Sequence, residues 1–186
     1  MLVLLLSGKA QSGKDTLAEF VKEYAELVGK KAQRIAYADA VKELAYQFGW
    51  DGQKDEKGRR LLQLIGTEVG RGYNPNIWID KGVEKLKTAQ LNGVDIVCIT
   101  DCRYPNEIEA IKSLEWVLGK VVTVRIERHG AGAGENANHV SETSLDDWQF
   151  DHTVENDTSL WCYRENTFWL LSDLMEEQNE SVKATS

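Results

Sequence analysis

The residues with the clearest chemistry stand at the start of the chain, where Gly8, Gly13 and Lys14 fit the spacing G-x-x-x-x-G-K. Glycines in that spacing let backbone N–H groups turn inward around a polyphosphate, while the lysine reaches the outer phosphates. The motif needs a strand before it and a helix after it. Both are predicted: Leu2 to Leu6 is an unbroken apolar run, and an amphipathic pattern opens directly behind Lys14. Gly8, Ser12, Gly13, Lys14, Asp15 and Thr16 are therefore candidate nucleotide-binding residues. Lys14 is also a catalytic candidate, because its ammonium neutralises charge on a transferring phosphoryl group. Asp15 stands where Ser or Thr normally meets magnesium, and the hydroxyl is displaced to Thr16. A carboxylate in that place holds hydrated Mg²⁺ through water.

A second acid, Asp101, ends the apolar run Asp95 to Thr100, with Arg103 two residues behind it. Ligands of open parallel sheets bind beyond the carboxyl ends of the strands, so Asp101 falls beside the phosphate loop and is a second candidate for Mg²⁺ through water. Its plainer role is to cap the helix that follows. Lys42, Arg59, Arg60, Arg71 and Arg103 form one group of cations, and Arg125 and Arg128 form another, just before Gly130, Gly132 and Gly134. Two groups suit two phosphorylated molecules that must be brought together against their mutual repulsion. The stretch from Arg125 to Glu142 reads as a lid with an arginine at its base. His139 in that stretch binds substrate or completes the loop, and carries no catalytic role. If the acceptor is itself a phosphate, its oxygen is already ionised and catalysis needs only positioning and charge stabilisation.

The elements that must place these groups follow from periodicity. Leu17, Phe20, Val21, Tyr24, Leu27 and Val28 recur at helical spacing up to Gly29, and Gln33 to Tyr37 is a short strand. Asp39 caps a helix carrying Val41, Leu44, Ala45 and Phe48. A helix with Leu61 to Val69 is interrupted near Gly66, and another carries Ile77, Trp78, Val83 and Leu86. Pro105 opens a helix, Val121 to Ile126 and Phe150 to Val154 are strands, and a last helix capped by Asp157 or Thr158 runs past Leu174. Apolar strands alternating with helices predict an α/β fold, a parallel sheet of about five strands covered on both faces. The 186 residues suit one domain, about 1–176, with a polar, fraying tail over 177–186.

A net charge of −8 argues against a nucleic-acid or membrane-surface binder, which needs a basic face. Cys98, Cys102 and Cys162 lack metal-ligand spacing and read as reduced thiols of a cytoplasmic protein. Met1 to Leu6 is too short for a signal or membrane segment and runs straight into the phosphate loop.

Taken together, Gly8 to Thr16 (GKAQSGKDT), Ala38 to Glu43, Gln63 to Glu68 with Arg71, Asp101 to Glu107 (DCRYPNE) and His139 to Glu142 (HVSE) form an ordered set. In that order, over about residues 2 to 160, the chain resembles the deoxynucleoside monophosphate kinases of bacteriophages. The resemblance implies an adenylate-kinase-like P-loop three-layer sandwich, with an acceptor-binding helical region over about 38–92 and a short lid over about 127–142. It implies transfer of the γ-phosphoryl group of ATP, with Mg²⁺, onto a deoxynucleoside monophosphate, in a host cytoplasm if phage-encoded. Lys14 then binds the β- and γ-phosphates. Asp39, Lys42, Arg71, Asp101 and Arg103 lie in or near the acceptor region, Arg103 and Arg128 act on the transferring group, and Asn156 and Asp157 border the adenine. Another small-acceptor kinase, such as dephospho-coenzyme A kinase, or an ATP-binding module without an acceptor, are the competing readings. Neither the preferred base nor the oligomeric state is legible.

Overall fold

The computed structural model describes residues 1–53, 55–133 and 140–184. Five strands, β1 (Leu2–Ser7), β2 (Ala32–Ile35), β3 (Ile96–Ile99), β4 (Val121–Glu127) and β5 (His152–Glu155), form one parallel sheet in the order β2-β3-β1-β4-β5. The central strand β1 pairs Leu4 with Cys98 on one side and with Val122 on the other. Its residues alternate between two cores. Val3 and Leu5 join Ile35, Val97 and Ile99 under the helices α2 (Tyr37–Gln47), α4 (Ile77–Leu91) and α5 (Pro105–Lys112). Leu2, Leu4 and Leu6 join Cys98, Val124 and Ile126 under α1 (Lys14–Leu27) and α8 (Leu160–Ala184). Each of these leucines is fully buried, which stabilises the fold by about 1.5–3 kcal/mol apiece. This double burial is why β1 reads as a continuous apolar run and ends in a firmly held loop.

Several local expectations are corrected. The second strand stops at Ile35 and α2 starts at Tyr37, so Asp39 sits in the first turn of α2 and is not its cap. The fifth strand begins at His152, two residues later than periodicity suggested. Cys162 N–H donates to Ser159 Oγ at 3.2 Å, so Ser159 and neither Asp157 nor Thr158 caps α8. The polar stretch from Glu176, expected to fray, continues α8 to Ala184. Two short helices, α6 (Glu115–Leu118) and α7 (Val140–Thr143), were not anticipated.

The interruption expected near Gly66 is a change of helix type. The helix α3 (Glu56–Gln63) runs into a π-helical segment, Leu64–Arg71. Trp78 of α4 explains it: its indole N–H donates to Gly66 O at 2.8 Å and its ring lies against Gly70. A Cβ on Gly70 would stand 2.4 Å from the indole, so only glycine admits the ring there. The wider turn delivers Arg71 to the edge of the site. Among the described residues, no helix is long and apolar enough to cross a membrane.

Candidate active site

The phosphate loop is held by what its glycines leave open. A Cβ on Gly8 would stand 2.5 Å from Ile126 O, and one on Gly13 would stand 2.4 Å from Asn156 Nδ2. Gly13 also has φ 106°, a conformation that side chains resist. Because both glycines lack Cβ, the loop packs directly onto the end of β4 and the turn after β5. Asn156 Nδ2 donates to Ser12 O at 2.8 Å, and Tyr163 OH of α8 donates to Gly13 O at 3.0 Å. Gln11 at the loop tip takes φ 65°, a left-handed conformation uncommon outside glycine. The cap residue of α1 is Gly13, which offers no side chain, and free N–H groups at a helix start favour an anion. Asp15 is exposed and Thr16 half-buried in that first turn.

Lys14 Nζ folds back over the loop and donates to Gly8 O at 2.7 Å and Lys9 O at 2.8 Å. Burial, followed by the positive charge of Arg103, lowers its pKa to about 8, with Glu142 and Asp15 opposing in part. An ammonium held this way lacks a full counter-charge, which a polyphosphate supplies.

On the strand side, Asp101 and Glu107 organise the cations. Asp101 is half-buried, and its two oxygens accept Tyr37 N–H at 2.9 Å and Ala38 N–H at 2.8 Å. It therefore caps α2, not the following helix α5. Burial raises its carboxyl above the ordinary range, and those two bonds oppose the shift only in part. The α5 start is instead satisfied by Glu107, which accepts Arg103 N–H at 2.7 Å and Tyr104 N–H at 3.2 Å. The same carboxylate accepts Arg71 Nη2 at 3.1 Å, and the Arg71 guanidinium lies 4.9 Å from the centre of the Tyr104 ring. Burial raises the Glu107 carboxyl above the ordinary range, against the pull of Arg103 N–H and the Arg71 charge.

The loop and the strand side meet at Glu142 of α7. One of its carboxylate oxygens accepts the loop's Ala10 N–H at 2.9 Å. The other pairs with the guanidinium of Arg103, which also donates to Ser141 Oγ at 3.3 Å. Lys9 fastens α7 from the loop, donating to Glu142 O at 2.6 Å and to Asp146 at 2.6 Å. Gly132 N–H donates to Ala10 O at 2.9 Å, so the start of the glycine-rich stretch also rests on the loop. Sequence reasoning met Glu142 only as the end of the lid stretch and of the HVSE motif, and gave it no role of its own. Its signal was its place after three alternating glycines.

The remaining candidates separate. Asp39 pairs with Lys42 at 3.2 Å and with Arg34 at 3.2 Å, and Arg34 also reaches Asp15 at 3.1 Å. Arg34, on the edge strand, was missed because nothing in its neighbourhood marks it. It links the start of α1 to the start of α2. Arg125 is pinned by Asp146 at 3.2 Å above the Phe150 ring, whereas Arg128 is exposed. Arg128 rims a cavity of about 350 Å³ with Lys9, Ser12, His129 and Asp157. Asp157 accepts His129 N–H across that rim. Arg60 lines a separate cavity of about 410 Å³ beside Phe48 and Trp50. His139, Gly134 and the middle of the expected lid lie outside the described residues.

No family model matches the chain. It is 29% identical over 163 residues, 87% of its length, to the uncharacterized protein ORF77 of Ictalurid herpesvirus 1 (strain Auburn), of which the match covers 67%. Among solved structures, APE1195 superposes with a TM-score of 0.54 at 12% identity, covering 93% of this chain and 95% of that one. A gluconokinase from Sinorhizobium meliloti 1021 superposes with a TM-score of 0.51 at 15% identity, covering 96% of each chain. At these identities the likeness is one of architecture: the chain has the α/β fold, a five-stranded parallel sheet between helices, found in P-loop kinases.

Proposed function

We propose that this chain is an ATP-dependent phosphotransferase whose acceptor is a phosphorylated small molecule, a deoxynucleoside monophosphate. One observation carries the reading. A loop N–H, from Ala10, and a strand-side cation, Arg103, converge on a single carboxylate, that of Glu142. Groups that face one anion from two sides suit a phosphoryl group passing between a donor on the loop and an acceptor on the strand side. A protein that only binds or hydrolyses ATP has no need of the second side. The resemblance to phage deoxynucleotide kinases supplies the identity of the acceptor.

In this reading the loop N–H groups and Lys14 bind the β- and γ-phosphates of ATP, and Glu142 yields its place to them. Arg103, released from Glu142, pairs with phosphate oxygens, and Arg71 takes the acceptor's phosphate beside it. The acceptor oxygen attacks the γ-phosphorus in line as the bond from that phosphorus to the β,γ-bridging oxygen breaks and ADP leaves, and no general base is required because the attacking oxygen is already ionised. Arg128, on the rim of the 350 Å³ cavity, is assigned to the transferring group, with Asn156 and Asp157 at the adenine side. Asp15 fits hydrated Mg²⁺: it is an exposed, hard oxygen donor in the first turn behind the loop. Held there, the ion would supply charge neutralisation to the phosphates. Both oxygens of Asp101 already accept backbone N–H groups, so we assign Asp101 the task of fixing α2, with Asp39 and Lys42, against the site.

The test is ADP formation from ATP and Mg²⁺ with a panel of nucleoside and deoxynucleoside monophosphates, dephospho-coenzyme A and gluconate. The expected result is acceptor-dependent ADP and a deoxynucleoside diphosphate product. ATP splitting that no acceptor accelerates would exclude the kinase reading, and turnover with gluconate or dephospho-coenzyme A alone would exclude the nucleotide acceptor.

A further inference from the structure

Arg71 and Arg103 come from different elements, the end of the π-helical segment and the loop behind β3, yet one buried side chain touches both. Glu107 is 2% exposed. Its carboxylate accepts the backbone N–H of Arg103 at 2.7 Å and the guanidinium of Arg71 at 3.1 Å, with Tyr104 N–H as its third donor at 3.2 Å. We propose that Glu107 is a positioning residue that holds the Arg71 guanidinium beside Arg103, and through Arg71 sets the affinity for the acceptor's phosphate. This rests on the assignment of those two arginines to the acceptor.

Capping alone does not explain the arrangement. The start of α5 requires an acceptor for its free N–H groups, and an exposed Ser, Asp or Glu side chain meets that need. Here the carboxylate is enclosed, and it carries an ion pair to another element besides the cap. Burying a charge is costly unless it is paired and hydrogen-bonded, and Arg71 completes the set. The pairing also restricts Arg71. With one edge of its fork on Glu107 and its face on the Tyr104 ring, the guanidinium keeps its other N–H groups for a ligand. Arg103 is fixed at its backbone, so its side chain remains free to exchange Glu142 for a phosphate. The tether sits on the backbone of one arginine and on the side chain of the other. Glu107 therefore acts on the acceptor through Arg71 and has no reason to act on ATP.

The experiment is a double-mutant cycle in steady-state kinetics with Glu107→Gln, Arg71→Ala and both together, ATP and the deoxynucleoside monophosphate being varied separately. Glutamine keeps the shape and one acceptor oxygen for the cap but loses the ion pair. Glu107→Gln is expected to raise the KM for the acceptor about tenfold or more and the KM for ATP less than twofold, on the scale of a charge-assisted bond. In the Arg71→Ala background the same change is expected to add little, since the group it acts through is gone. Equal effects on both substrates, or an undiminished effect without Arg71, would reduce Glu107 to a structural cap and overturn the inference. If Arg71→Ala itself spares the acceptor KM, the acceptor assignment fails, and this inference with it. Should Glu107→Gln unfold, Glu107→Asp keeps the charge but draws it back from Arg71. It must then raise the acceptor KM selectively, and parallel changes in both KM values would equally count against the role.

Discussion

The two sides of the candidate site are built from different materials. On the donor side, the binding groups are backbone N–H groups, and their positions are set by close contacts that only Gly8 and Gly13 permit and by bonds from Asn156 and Tyr163. On the proposed acceptor side they are long side chains, each held by a carboxylate: Arg71 by Glu107 and Arg103 by Glu142. Backbone donors are preorganised and cost nothing to align when the ligand arrives. Arginine forks must be paid for in side-chain entropy unless something already restrains them. The carboxylates do that, and in the proposed function Glu142 gives way to phosphate. Under the proposed function, the rigid half is assigned to ATP and the adjustable half to the acceptor.

Substitutions on the two sides should therefore fail differently. Lys14→Ala is expected to have the largest effect, lowering kcat by about 10²–10³ with the thermal unfolding temperature little changed, because one preorganised charge at the transferring group is lost. A folded variant with near-normal turnover would remove the loop from the chemistry. Arg103→Ala comes next: about 10- to 100-fold in the acceptor KM, with a smaller change in the ATP KM, as measured by varying each substrate alone. An effect confined to ATP would erase the distinction between the sides.

A pH effect sharpens it further. The Lys14 pKa is lowered to about 8 in the ligand-free protein, chiefly by burial and then by Arg103. Bound phosphates favour the ammonium and raise that pKa, so binding takes up a proton once the free lysine has lost it. ATP affinity should thus be flat below about pH 7, and weaken as pH rises through 8, by up to tenfold per pH unit. Calorimetry in buffers of different ionisation enthalpy measures the proton uptake directly. No uptake at pH 8.5 would mean that Lys14 stays charged without a ligand. The smallest effect belongs to Asn156→Ala, which removes the donor to Ser12 O and should lower stability by about 1 kcal/mol, a few degrees in unfolding temperature. It should also weaken ATP more than the acceptor.

The same contrast decides what could be read in advance. The donor side is local in sequence: a strand that is apolar at every position, two glycines and a lysine at fixed spacing, then a helix. Each of these has a physical cause that operates within about twenty residues, and the structure places all of them as expected. The parallel sheet covered on both faces follows from the same regularity, since apolar strands alternate with helices. The acceptor side depends on pairs far apart in the chain. Asp101 reads equally well as a metal ligand or as a cap for the next helix, and its actual partners are Tyr37 and Ala38, on an element that begins 64 residues earlier. Glu107 resembles a routine capping glutamate until Arg71 arrives, 36 residues away, from a helix whose widening depends on Trp78. Glu142 lies 132 residues from Ala10, and nothing near it in the chain points to that partner. The polar end of α8 was misjudged for a different reason: its composition resembles a tail, but it continues a helix already nucleated on the core, and propagation is easier than initiation.

The central claim is that the loop and Arg103 face one transferring phosphoryl group from opposite sides. It is tested most directly by the binding of a bisubstrate compound in which adenosine and a deoxynucleoside are joined by a polyphosphate long enough to span both sites. Such a compound should bind about 100-fold or more tighter than ATP under the same magnesium concentration, and Arg103→Ala should abolish most of that advantage. Binding no tighter than ATP, or an advantage that survives the loss of Arg103, would contradict the account.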